Sequence, residues 1–412
     1  MAALKSGPTV IRWPWGCLRS FRIIAGLLFV AASGCRFDST GTPGNDAGAP
    51  ADGAAADAAA TDAPVETGWL DGWSHRKSIT IPAAQVAGDL GQFPIVVVTT
   101  DTDIGDRAKS DGADIVFTAG DGLTVLAREI EVWTPGSAEL VAWVAVPVLS
   151  SETDTTIYVY YGNSTPPTGP SATDVWTAGY AAVWHLHQSP GSGDPDEIAD
   201  SSANGHHGTA AAPFVNGDSV AGHIGRAIKF DGGDELISVD SIDLGGAFTI
   251  SAWVNLINDS DDIRTIVANS GVGNQTDGFR FFINTVGSAD EKLWIETGNG
   301  SDSDEASTAD GTVPPGEWTY VVAVVDRAGG TATLYRNGAD VTVDSSIRSD
   351  FAVNSPVEIG HMNNGANVFY EGTMDEVSIA AALRPSSWIA TAYTNQGDPA
   401  GFTQFGAEET AP

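Results

Sequence analysis

Residues 200–208 read DSSANGHHG, and side-chain oxygens recur at alternate positions: Asp200, Ser202 and Asn204, with Gly205 next. Alternating oxygens ahead of a glycine that permits a sharp turn form the first half of a calcium-binding loop. An EF-hand needs a bidentate glutamate at the twelfth position, and that position is Ala211. A calcium ion here would draw its remaining ligands from distant parts of the chain. The competing reading is a loop that caps itself through Asx turns.

Two other constellations could carry chemistry. Glu129 and Glu131 stand two apart on a strand-like run and would share a face. Paired carboxylates can act as acid and base, but a solvated strand face is the simpler expectation. His185 and His187 have the same spacing, as a zinc pair on a strand would, and His206, His207 and His223 follow closely. The chain has no H-E-x-x-H helix, G-x-S-x-G elbow or P-loop, so no hydrolase, metalloprotease or nucleotide-dependent reaction is indicated.

The bulk composition narrows the partners. A hydrophobic content of 42% is that of a globular protein, and 48 glycines suit a turn-rich β fold. A net charge of −34 repels nucleic acid and anionic lipid head groups while favouring divalent cations. Cys17 and Cys35 are the only cysteines, which excludes a disulfide framework in the folded part.

The N-terminus reads as an address. Residues 1–22 are basic, 23–32 (IIAGLLFVAA) are apolar, and ASGC ends the run at Cys35. The apolar stretch is shorter than the roughly 20 residues that span a bilayer. The pattern resembles a bacterial lipoprotein signal over 1–34, which implies cleavage before Cys35, lipidation of that residue and attachment to the cell envelope. With Arg36 following, delivery to the outer membrane or cell surface is the expectation. Residues 35–66, rich in Ala, Gly, Asp and Pro, cannot build a core and read as a disordered tether.

Six strand-length runs fill 67–167, among them FPIVVVTT (93–100), TVLAREIEVW (124–133) and ELVAWVAVPV (139–148). Without helical periodicity between them they imply a β-sandwich. The blocks WSHRKSITI, DGADIVFT, LAREIEVW, LVAWVAVPVL and TTIYVYYGN resemble the domain-of-unknown-function family 2341, which implies a surface protein but no reaction. STPPTGPSATDV marks a boundary, and the two sides are expected to fold independently.

Residues 176–408 again alternate strands and turns, including a hairpin through Gly329–Gly330 and a tight turn at Asn337–Gly338. One large two-sheet jelly roll follows; the fold class is all-β throughout. The blocks AVWHLHQ…DSSANGHHGT, GRAIKFDGGDELISV, FTISAWV, GEWTYVVAVVD…ATLYRNG and YEGTMDEVSIAAALRPSSWI resemble the laminin-G-like branch of the concanavalin A-like lectin/glucanase superfamily. That resemblance implies a structural calcium (Ca2+) at the rim, held by Asp200, Ser202 and Asn204 with Asp375 as the distant ligand. Glu376 is expected to point away from Asp375, since successive strand residues face opposite sides. The superfamily includes glycanases, but their E-x-D-x-x-E strand is missing here. A non-catalytic protein binding carbohydrate or a surface protein is expected, with a structural envelope component, or a glycan-acting enzyme with an unrecognised site, as the alternatives. Trp294, Phe369 and Tyr370 are the candidate aromatic platforms, whereas Trp253 and Trp318 should be core.

Overall fold

The computed structural model describes residues 67–211, 213–257, 261–270, 276–362 and 368–412. The expected signal 1–34, the lipidated Cys35 and the tether to residue 66 lie outside the described residues. No helix among the described residues is long and apolar enough to cross a membrane.

The first strands are β1 (His75–Ile81), β2 (Leu90–Thr100), β3 (Val116–Thr118), β4 (Arg128–Thr134), β5 (Glu139–Leu149) and β6 (Thr155–Tyr161), with α1 (Thr102–Arg107) after β2. Sheets β1–β6–β3 and β2–β5–β4 face each other across Ile79, Phe93, Ile95, Val97, Phe117, Val144 and Val159. The expected β-sandwich is formed. β2 and β5 read as nearly unbroken apolar runs because both faces of their sheet are covered: Val96, Val141, Trp143 and Ala145 pack outward against Val175, Trp176, Val183 and Ile224.

The following strands are β7 (Tyr180–Trp184), β8 (Gly208–Ala210), β9 (Ser219–Ala221), β10 (Arg226–Asp231), β11 (Ile237–Ser241), β12 (Ala247–Leu256), β13 (Arg264–Ala268) and β14 (Gly278–Ile283). Then come β15 (Leu293–Gly298), β16 (Ser303–Thr308), β17 (Thr319–Asp326), β18 (Thr331–Arg336), β19 (Ala339–Asp340), β20 (Thr342–Asp344), β21 (Pro356–Ile359) and β22 (Glu371–Ala380). They build a jelly roll of two antiparallel sheets, β19-β18-β17-β12-β22-β10-β9 and β20-β16-β15-β14-β13-β21-β11-β8, with β7 also paired to β22. Its core includes Trp184, Phe230, Phe248, Val254, Phe279, Phe281, Val321 and Ile379. The turns are those the sequence announces: Gly330 has φ +64° and Asn337–Gly338 have +50° and +80°.

The two sandwiches share packing beyond a linker, and residues 63–412 form one compact unit. Helix α2 (Ser386–Gly397), which the strand pattern does not announce, inserts Trp388, Ile389 and Ala392 into the first core together with Trp253, Tyr320 and Val322 of the jelly roll. Asn395 donates to the Val96 carbonyl (2.9 Å) and accepts the Val96 N–H (2.8 Å), so its amide behaves as an added strand beside β2. After α3 (Pro399–Phe402), β23 (Gln404–Phe405) and β24 (Glu409–Thr410) pair with β1. The expectation of two independently folding halves therefore gives way to one folded body whose last residues complete its first sheet.

Candidate functional site

The loop 200–208 is held by its own hydrogen bonds. Asp200 Oδ1 accepts the Val183 and Ser202 N–H groups (2.9 and 2.8 Å), and Oδ2 accepts the Ser202 hydroxyl and the His206 N–H (2.8 and 2.9 Å). Asn204 donates its amide to the Tyr180 and Ala181 carbonyls. His207 accepts the Asp200 N–H, and His206 pairs with Asp240. Each Asp200 oxygen thus already has two donors, the arrangement of a self-capping Asx loop. Asp375 faces the 222–224 turn instead, accepting the Ile224 N–H at 2.9 Å. No hydrogen bond or ion pair joins it to the 200–208 loop among the described residues. The donor set expected for calcium does not fit a hard cation: its one carboxylate on the loop is saturated by N–H and O–H donors, and its distant carboxylate is engaged elsewhere.

The three aromatic candidates separate. Tyr370 is fully buried, edge-on to Phe230, and is core. Trp294 is half-buried on the face of β15 turned from the core, stacked on Phe282 with Lys292 over its ring, and its buried indole N–H has no acceptor among the described residues. Phe369 stacks on His361 at 4.1 Å. Trp253 is core as expected, while Trp318 is half-buried. Along β14–β16, Phe279, Phe281, Leu293, Ile295 and Ala306 face the core, so alternation turns Arg280, Phe282, Trp294, Glu296, Glu305 and Ser307 to the other side. There Arg280 pairs with Glu296 at 2.8 Å.

The densest chemistry lies where the sandwiches meet, and there the sequence expectation is overturned. Glu131 and Glu129 do not form a solvated strand face; their side chains are 0% and 15% exposed. β4 carries a bulge between Ile130 and Val132, and β22 carries one opposite Ser251–Trp253, where Glu376 adopts φ +51°. A bulge inserts a residue and breaks the alternation of side chains. Glu376 therefore does not turn to the opposite side into solvent but is buried beside Asp375. β22 changes partners at this point, from β10 at residues 371–374 to β7 at 377–380.

His185 sits in that gap, tilted against Trp143 and Trp176 and parallel to His187. Its Nδ1 is 2.8 Å from Glu376 Oε2 and its Nε2 is 3.4 Å from Glu129 Oε2. Glu129 also accepts the Trp176 indole N–H and the Ser201 hydroxyl, and Glu131 accepts the Trp143 indole N–H at 3.0 Å. Burial opposes the charged form of His185, but Glu376 and Glu129 outweigh it and hold its pKa well above the ordinary histidine range. Burial would raise Glu129 too; the His185 hydrogen bond and charge overcome it and leave Glu129 below the usual value. Glu131 and Asp375 are pushed up, chiefly by burial. His187 is pushed down to about 4 by burial and by His185.

The nearby enclosed cavity, lined by Phe93, Trp143, Trp176, Tyr320, Glu376 and Trp388, has a volume of about 30 Å³. That holds a water or two and no sugar. The one sequence signal for this cluster was acidic residues inside otherwise apolar strands, in REIEVW and MDEVSI, beside His185.

Comparison with known proteins agrees with this architecture. Residues 231–390 match the family model described as concanavalin A-like lectin/glucanases superfamily, and residues 111–181 match that of the domain of unknown function DUF2341. No curated protein matches the chain. Similar solved structures include the receptor-binding domain of botulinum neurotoxin C/D mosaic serotype (14% identity over 52% of this chain and 51% of that one, TM-score 0.38). Others are domain 4 of AbnA, a GH43 arabinanase from Geobacillus stearothermophilus in complex with arabinotriose (18%, 52% and 98%, 0.38), and the Ruminococcus gnavus IT-sialidase CBM40 bound to sialyllactose (16%, 40% and 96%, 0.31). The chain spans about half the length of the neurotoxin domain. The chain combines a DUF2341 domain with a domain of the concanavalin A-like lectin/glucanases superfamily.

Proposed function

We propose that this protein is a non-catalytic recognition protein, anchored to the bacterial envelope through Cys35, that binds carbohydrate on the outward face of β14–β16. The observation that carries this reading is Trp294: a half-buried indole stacked on Phe282, with the largely buried polar groups of Arg280, Glu296 and Ser307 on the same face. Sugar recognition needs an aromatic surface for C–H faces together with fixed hydrogen-bonding groups at its edge. The other sheet offers no comparable face, because Trp253, Tyr320, Val322 and Tyr335 are covered by α2 and the first sandwich. The carboxylates Glu296 and Glu305 stand opposite each other in register, but Glu296 is tied to Arg280, which favours binding over acid–base chemistry. A glycan array with the full chain tests this. Binding that Trp294→Ala weakens tenfold or more, with the melting temperature kept, is the expected result; an array without any signal, or binding indifferent to Trp294, overturns it.

A further inference from the structure

The junction cluster contains more carboxylate than its donors satisfy. Among the described residues, Glu131 Oε1, Glu376 Oε1 and His187 Nδ1 are buried without hydrogen-bond partners, as is Asp375 Oδ1 alongside. The Glu131 and Glu376 side chains are 0% and 4% exposed. Buried polar atoms are nearly always paired, so several unpaired ones in one place call for an unseen partner. Negative atoms without donors call for a cation.

The geometry suits one. One ligand atom each from Glu131, His185 and Glu376 lies within 4.8 Å of the others. His185 Nδ1 is 2.8 Å from Glu376 Oε2 and 3.9 Å from Glu131 Oε2, and His187 Nδ1 is 3.9 Å from Glu131 Oε1. Donors around a tetrahedral zinc ion, at bond lengths near 2.0–2.2 Å, stand roughly 3.3 Å apart, between those values. Small side-chain shifts suffice.

We propose that Glu131, His185 and Glu376 bind one divalent cation of the zinc class at the junction of the two sandwiches. Mixed imidazole and carboxylate donors suit zinc rather than calcium, which takes six to eight oxygens. The surroundings orient the ligands as metal sites require. Trp143 holds Glu131 Oε2, and Glu129 lies at His185 Nε2, leaving Nδ1 to face the ion. His187, with 30% of its side chain exposed, marks the path from solvent. Because the ligands come from β4, the segment after β7, and β22, the ion would clamp the first sandwich to the second.

The test uses the full chain stripped with chelator and titrated with zinc(II) by calorimetry. Cobalt(II) titration gives a visible-absorption readout. The expected result is one saturable ion per chain, a cobalt spectrum of low-coordinate nitrogen and oxygen ligation, and a melting temperature raised by a few degrees. Glu131→Gln and His185→Gln should each weaken affinity at least tenfold, whereas Asp240→Asn on the surface should not. If the variants fail to fold, the wild-type cobalt spectrum and the ion stoichiometry decide. Uptake of many ions per chain without saturation, a response to calcium alone, or no spectrum and no thermal shift overturns the proposal.

Discussion

The 200–208 loop and the sandwich junction are both built around carboxylates, yet they differ in how those carboxylates are satisfied. Asp200 accepts four protein donors and is complete by itself. At the junction, Glu131, Asp375 and Glu376 each keep an oxygen without a donor among the described residues, and one imidazole serves two glutamates. Oxygen spacing along the sequence made the first place look like the ion site. Donor counting moves the expectation to the second, because N–H groups do for Asp200 what a cation would do.

The sharpest way to break this comparison is Asp200→Ala. It strands the Val183, Ser202 and His206 N–H groups and the Ser202 hydroxyl in a buried loop, and should cost about 3–5 kcal/mol in denaturant unfolding. A loss under about 1 kcal/mol would mean that those bonds do not hold the loop.

An intermediate case is Glu235, buried with a single donor, the Asp231 N–H at 2.5 Å. Burial, then the neighbouring Asp231, Asp218 and Asp234, pushes its pKa up to about 7 from 4.5. The folded state thus holds the proton more tightly than the unfolded chain does. Its contribution is fully present below about pH 4.5 and is lost as pH rises through 7. Glu235→Gln should therefore gain on the wild type between pH 5 and 8, by on the order of 1 kcal/mol after allowing for solvent screening. Parallel stability–pH curves for the two proteins would contradict this.

The smallest effect is expected from calcium. Millimolar calcium against chelator should change the melting temperature by less than about 1 °C, since the loop's carboxylate has no free lone pair to offer. A calcium increment of several degrees that vanishes in Asp375→Ala would restore the reading from the loop's spacing and family resemblance.

Much of the fold was legible because strand alternation and turn chemistry are local. The runs around 93–100 and 139–148, the Gly329–Gly330 hairpin and the core position of Trp253 all follow from the sequence pattern. The junction was not legible, for a physical reason. Alternation places Glu376 opposite Asp375, and only the bulge, set by a change of strand partner, brings both into the interior. Glu129 and Glu131 likewise read as polar on a strand edge until β7 and the 222–225 turn cover them; Gly225 is so close to Glu131 that a Cβ there would stand 2.6 Å from its Oε1. Helix α2 was missed because its apolar residues serve two sandwiches at once and give no single stripe. Tyr370 looked like a loop aromatic, but it packs on Phe230 as β22 begins.

The pairing of Gln404–Phe405 and Glu409–Thr410 with β1 has a kinetic consequence. His75 meets Thr410 across the sheet, so the first sandwich receives its closing strands only after the whole jelly roll has been synthesised. Contacts this distant in sequence carry a large loop-closure cost and form late. The earlier part of the chain would wait with an open sheet edge, a state prone to wrong pairing. A protein assembled in this way stays pliable while it is being made and commits to its final form only when residues 404–410 arrive.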